Sequence, residues 1–217
     1  DPCKSCSAGK YSPSEVATSA AACVLCSAGK YSDTIGALSA AACMDCAAGK
    51  YSSSPGASSA AACMDCAAGK YSETEGGKTI DVCLNCVAGK HRAEKGGVKE
   101  GDCTPCEKGK YSAAPALTTE CTFTCAMGKF LDEEGKTAAA DCKSCGAGRW
   151  SDTLGMPDDA KCKNCTAGKY SNTLVATGKG ACKACAEGWY STISGAAHVD
   201  VCKGCPMGRA AFYAGND

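Results

Sequence analysis

Cysteine is the residue with the most chemistry to offer in this sequence, with 22 copies among 217 residues. The cysteines come in eleven pairs that begin at residues 3, 23, 43, 63, 83, 103, 121, 142, 162, 182 and 202. Ten pairs read C-x-x-C, and Cys121/Cys125 carries one extra residue. Pairs at this spacing support three chemistries. A tetracysteine zinc site takes two pairs per ion. Successive pairs would then alternate in role, but the sequence repeats every 20 residues rather than every 40, and eleven pairs would leave one over. Thiol redox chemistry needs a low-pKa thiolate on a thioredoxin-like scaffold, where the motif normally occurs once or twice. The third chemistry is a disulfide ladder, in which the second cysteine of one pair bonds the first of the next. Each bridge would close a loop of about 16 residues and contribute ~3 kcal/mol by loop entropy. Spacing alone does not fix the pairing.

Other reactive groups are sparse. His91 and His198 are the sole histidines. His91 falls in an otherwise aromatic slot, which favours packing over catalysis. There is no phosphate-binding glycine loop, no H-E-x-x-H and no nucleophile elbow. Asp and Glu are scattered through loops with no deep core to perturb their pKa values. The sequence therefore points away from an enzyme, and no metal or other cofactor is expected.

The elements that position the cysteines are equally repetitive. After each pair comes x-x-Gly, with Gly at 9, 29, 49, 69, 89, 109, 128, 148, 168, 188 and 208, and the commonest form is CxxCxAGKYS. A glycine fixed at one phase of every unit implies positive φ or close backbone approach, and hence a tight turn. A looser second glycine follows at 36, 56, 76, 96, 135, 155 and 195. The polar segments between turns are too short for a stable helix and suit short strands or hairpin-like loops. The Ser-Ala-Ala-Ala stretches before Cys23, Cys43 and Cys63 have room for one helical turn. A period of 20 means stacked units rather than one globule. The expected fold is a set of small disulfide-rich tandem repeats, forming an elongated rod or solenoid of short hairpin-like loops with little regular secondary structure.

Two further rows run at the same period. Lys10, Lys30, Lys50, Lys70, Lys90, Lys110, Lys129, Arg149, Lys169 and Arg209 form a candidate basic stripe for a sulfated or carboxylated polysaccharide or for acidic groups of a neighbouring molecule. The plainer reading is a solvated face balanced by local Asp and Glu. Next to it stand Tyr11, Tyr31, Tyr51, Tyr71, His91, Tyr111, Phe130, Trp150, Tyr170 and Tyr190, with Ala210 ending the series. In a rod whose units touch only nearest neighbours, such side chains suit the interfaces; exposed, they would suit glycan or partner binding.

Composition bounds the rest. Three Phe and two Trp cannot assemble a large core, so the order of the chain must come from elsewhere. With 23 basic and 23 acidic residues the formal charge is zero, and nucleic acid is not an expected partner. No apolar run approaches the roughly 18 residues of a spanning helix. Asp1-Pro2 does not open a signal peptide, so a secreted chain would have its targeting segment removed or outside this stretch. Asn164 in Asn-Cys-Thr is a candidate N-glycosylation site, and Ser52, Ser53, Ser54, Ser58, Ser59, Thr118 and Thr119 are candidates for O-linked sugar.

The unit C-x-x-C-x-x-G-[KR]-[aromatic]-S, followed by the next C-x-x-C, resembles the ephrin-receptor-like cysteine-rich repeat of receptor ectodomains and of large surface proteins of algae and other protists. The stretch from Cys6 to Cys23 also resembles the single-disulfide module of tumour-necrosis-factor-receptor repeats. That likeness implies a Cys6–Cys23 bond and, at the same phase, Cys26–Cys43, Cys46–Cys63, Cys66–Cys83, Cys86–Cys103, Cys106–Cys121, Cys125–Cys142, Cys145–Cys162, Cys165–Cys182 and Cys185–Cys202. The units would be 6–23, 26–43, 46–63, 66–83, 86–103, 106–121, 125–142, 145–162, 165–182 and 185–202, with an incomplete unit from 205, all in a single array. Cys3 and Cys205 are left over at opposite ends. A slice of a longer chain accounts for this most simply. Alternatively, chains joined head to tail would close a 14-residue loop, the length found between Cys106 and Cys121.

The function expected is that of an extracellular or cell-surface structural protein, a glycoprotein building block of a filament, flagellar hair, sheath or wall. Its partners would be copies of itself, other structural proteins or glycans. A receptor or adhesion ectodomain is the alternative, and a partner footprint confined to the irregular repeats six and seven would favour it.

Overall fold

The turn before each Lys-Tyr pair sets the local conformation. In Ala47-Ala48-Gly49-Lys50 the Lys50 N–H donates to the Ala47 carbonyl at 3.1 Å, and Gly49 sits third with φ +78°. A four-residue turn with positive φ at its third position is type II, where a side chain is strained. The residues after the glycine then run back against the strand that follows the next cysteine. A computed structural model describes residues 4–14 and 22–209, and in it this hairpin recurs in repeat after repeat.

By contact density the chain divides into two units, residues 1–104 with 114–120 and residues 105–113 with 121–217. In the first, antiparallel hairpins join Lys10–Tyr11 to Val24–Leu25, Lys30–Tyr31 to Met44–Asp45, Lys50–Tyr51 to Met64–Asp65 and Lys70–Tyr71 to Leu84–Asn85. In the second they join Lys110–Tyr111 to Phe123–Thr124, Lys129–Phe130 to Lys143–Ser144, Arg149–Trp150 to Lys163–Asn164, Lys169–Tyr170 to Lys183–Ala184 and Trp189–Tyr190 to Lys203–Gly204. Every strand is two residues long, and the described residues contain no α-helix. The small-residue stretches form single 3-10 turns, as at Ala40–Ala42 and Ala60–Ala62, which deliver the chain to Cys43 and Cys63.

Among the described residues ten disulfides link the second cysteine of one pair to the first of the next, from Cys6–Cys23 through Cys185–Cys202. Nine span 17 residues, and Cys106–Cys121 spans 15. Their Cα atoms stand 5.5–5.9 Å apart, the ordinary range for an S–S bond. The second cysteine of each pair is the deepest part of the fold, with Cys46, Cys66, Cys86 and Cys145 fully buried.

Successive repeats are joined by a fixed set of backbone bonds. In the first unit the Gly29 N–H donates to Ser52 O at 2.8 Å, Ser32 N–H to Ala57 O at 3.0 Å and Gly56 N–H to Cys26 O at 2.8 Å. The same three bonds start again at Gly49, Ser52 and Gly76, one repeat further on. The interlocking also reaches past the immediate neighbour. A Cβ on Gly49 would lie 2.7 Å from the carbonyl oxygen of Gly96, two repeats ahead. This differs from the nearest-neighbour contact expected of stacked units. The removal of every side chain at this slot lets a third repeat approach.

The serine after each aromatic is the buried polar element of the core. Ser32, Ser72, Ser151 and Ser171 are fully enclosed, and the Ser32 hydroxyl accepts the Thr34 N–H at 3.3 Å in a local side-chain turn. Two repeats depart from this. Arg92 takes the slot and donates to the Asp102 carbonyl at 3.0 Å. Leu131 takes it in the second unit and packs with Cys125, Cys142 and Tyr111. Next to it Phe130, Met156, Cys145 and Cys162 form a second apolar cluster. The second unit thus has hydrocarbon in its interior at the slots of Phe130, Leu131 and Met156.

The second glycine slot also adopts positive φ, at Gly36, Gly56, Gly76, Gly96, Gly135, Gly155 and Gly195. Ala116 stands in this slot with φ 55° and is the single non-glycine with positive φ among the described residues. Three outcomes follow, each readable by native-state hydrogen exchange on the oxidised chain. Ala116→Gly should stabilise the repeat against local opening by ~0.5–1 kcal/mol, since it relieves a left-handed Cβ at some entropic cost. Gly49→Ala should cost upwards of ~2 kcal/mol, because it adds that strain and displaces the Gly96 carbonyl. The double variant Cys46→Ser/Cys63→Ser should lower protection in its repeat by ~3 kcal/mol.

Candidate functional site: the charged and aromatic rows

Ten bridges place most of the sequence's cysteine in S–S bonds, which leaves those sulfurs no thiolate for zinc or redox chemistry. Among the described residues no three His, Cys, Asp or Glu side chains converge as metal ligands. Cys205 is a free, half-buried thiol, and Cys3 lies outside the described residues. What repeats at the surface is charge and aromatic area, and the hairpins dictate where each goes.

Side chains alternate across a two-stranded ribbon, so residues directly opposite share a face. The Lys of each Lys-Tyr pair therefore faces the residue just before the second cysteine. Lys30 meets Asp45 at 2.7 Å and Lys50 meets Asp65 at 2.6 Å. Elsewhere in the row Lys90 pairs with Glu100 at 2.9 Å, Lys110 with Glu107 at 3.1 Å and Arg149 with Asp159 at 2.6 Å. Arg149 also donates to the Cys162 carbonyl at 3.1 Å, which ties the 3-10 turn of its repeat to the hairpin. Half of the candidate stripe is thus neutralised locally. Lys70, Lys129 and Lys169 face Asn85, Ser144 and Ala184 and have no carboxylate partner among the described residues. Lys10 faces Leu25, and Arg209 is exposed.

The aromatic row lies on the opposite face of each hairpin. Tyr31, Tyr51, Tyr71 and Trp150 are half-buried, Phe130 is buried and Tyr190 is 40% exposed. From Tyr11 to Tyr170 each backbone of the row forms a parallel bridge to the next repeat, as Tyr31 does to Ala57 and Trp150 to Ala176. The row therefore serves the repeat interface along one edge and keeps one side open. His91 occupies its slot half-buried, with Nδ1 enclosed and without a hydrogen-bond partner. His198 is exposed and precedes the 3-10 turn Val199–Val201.

The modification candidates separate by exposure. Ser53, Ser54, Ser58, Ser59, Thr118 and Thr119 are exposed, but Ser52 is a core serine only 2% exposed and is withdrawn as a sugar acceptor. Asn164 is exposed at the end of its hairpin strand and abuts the second-slot glycine of the next repeat, Gly195, while the following Cys165 is buried in a disulfide.

The slot across from each aromatic was missed in the sequence. It reads Val24, Met44, Met64 and Leu84 in the first unit, all 43–54% exposed, and Phe123 followed by Lys143, Lys163, Lys183 and Lys203 in the second. Aligning the repeats by their cysteines makes this switch visible. Lys163 Nζ lies 4.6 Å from the centre of the Trp150 ring and 2.8 Å from Asp152 Oδ1. Lys143 bonds Asp132 at 2.7 Å and Glu133 at 3.4 Å.

These pairs set titration. The hydrogen bond from Lys143 holds Asp132 below the usual carboxylate range, and Lys163 does the same for Asp152. A depressed folded pKa means that the contribution of the pair is present above the ordinary Asp value and disappears as pH falls through the lowered one. Carboxyl NMR titration should find both groups ionising below about 3.9. Lys143→Met should return Asp132 towards that value and leave Asp152 unmoved.

Residues 16–63 match the family model described as tyrosine-protein kinase ephrin type A/B receptor-like. No curated protein shows significant similarity to the chain. The matched stretch holds the hairpins, glycine turns and bridges that recur at the same phase as far as Cys202. The chain is a cysteine-rich tandem-repeat protein, and its residues 16–63 are similar to the ephrin-receptor-like repeat.

Proposed function

We propose that this chain is a non-enzymatic, extracellular structural repeat protein, a building block of a filament, flagellar hair, sheath or wall. The bridges and the ephrin-receptor-like match suggest an extracellular module, because bonds of this kind persist in oxidising compartments. Among the described residues no helix is long and apolar enough to cross a membrane. One observation carries the structural reading: within each unit the same kinds of backbone hydrogen bond and parallel backbone bridge link successive repeats, as at Gly29, Gly49 and Gly69 or at Gly128 and Gly148. Uniform links spread load evenly along a chain. A receptor concentrates variation at one patch, and the departures at Ala116, Leu131 and Met156 supply the main counter-argument, since they fall in the irregular repeats and their neighbour. Partners on the structural reading are further copies and other matrix proteins.

Electron microscopy of the oxidised chain at rising concentration, together with antibody labelling of intact source cells, tests this reading. Regular linear polymers and label along an extracellular fibre are the expected results. A chain that stays monomeric at all concentrations and captures one protein through residues 106–142 would instead establish the receptor reading.

A further inference from the structure

The second unit carries a cationic edge whose neutralising carboxylates run out along the sequence. At the slot opposite the aromatics, Lys143 and Lys163 are held by Asp132 and Asp152. One and two repeats later the position of that aspartate is taken by Asn172 and Thr192. Lys183 and Lys203 are exposed and have no carboxylate partner among the described residues. They stand directly across their hairpins from Tyr170 and Tyr190, so each ammonium shares a face with an aromatic ring. The Lys163–Trp150 contact shows the geometry such a pair reaches. The surrounding sequence has the same bias, with seven basic and two acidic residues between 160 and 209.

We propose that the Lys183 and Lys203 edge, with Tyr170 and Tyr190, binds a linear anionic polysaccharide. A repeating polymer suits a site that recurs once per repeat. Acidic groups on the polymer meet the ammonium row, and its ring faces lie on half-open aromatic surface. Single-stranded nucleic acid has matching chemistry, with phosphates for the lysines and bases for the rings. The dense bridging argues for an oxidising setting, where acidic glycans are the prevalent polyanions. The first unit is an internal control, since Val24, Met44, Met64 and Leu84 put no charge in this slot. The inference is independent of whether the chain polymerises.

Calorimetry of the full oxidised chain at low salt, with heparin, polygalacturonate, neutral dextran and a single-stranded oligonucleotide as probes, tests it. Heparin or polygalacturonate should bind and dextran should not. The double variant Lys183→Met/Lys203→Met should weaken binding about ten-fold and flatten its salt dependence. Methionine already fills this slot at Met44 and Met64, and an unchanged hydrogen-exchange profile would show that the variant still folds. Failure of both acidic glycans to bind, a variant that binds as tightly as the parent, or an oligonucleotide that outcompetes both glycans would each overturn the proposal.

Discussion

The S–S bond between the second cysteine of one pair and the first of the next is the constraint on which everything else rests. Each two-residue strand makes too few hydrogen bonds to stand alone, since isolated hairpins are marginal in water even when longer. Closing Cys26 on Cys43 confines the intervening loop so that Lys30–Tyr31 must return past Met44–Asp45. The hairpin then presents Gly29 and Ser32 to the following repeat, which completes their hydrogen bonds. Covalent closure comes first in this chain of dependence, the backbone ladder second, and side-chain packing contributes locally at Phe130, Leu131 and Met156.

Much of this order is legible in the residues themselves. The glycine at 49 implied either a left-handed turn or a close neighbour, and the structure shows both. The segment Gly-Lys-Tyr-Ser implied a short strand, and it is one. Three things were hidden. Burial of Ser32 depends on its hydroxyl reaching Thr34, a local bond that composition does not reveal. The approach of Gly96 to Gly49 arises from how repeats nest, which has no signature beyond the glycine itself. The division into two units coincides in the sequence only with the shortened Cys106–Cys121 loop, and that shortening does not by itself announce a boundary.

The candidate site divides along the same lines. The lysine before each aromatic stands out by its regularity, but regularity was a poor guide to availability. Asp45 and Asp65 lie 15 residues from their lysines and Asp159 lies 10 from Arg149, so the pairings show only once the hairpins and 3-10 turns are placed. The less regular slot, uncharged as far as Phe123 and lysine from Lys143 onward, leaves Lys183 and Lys203 exposed without a carboxylate partner among the described residues. Departures from the repeat thus carry more functional information than the repeat itself, because every shared position already has a structural task in holding the array together.

The nesting of Gly49 against Gly96 also restricts how such a chain can change its length. A carbonyl two units ahead must land on a bare α-carbon, so inserting or deleting a few residues would push a side chain into that gap all along the strand of contacts. Gain or loss of one complete module leaves every glycine in phase. Duplication in whole modules is therefore the route by which this architecture can grow, and the near-copies at 26–43 and 46–63 have the form such an event would leave.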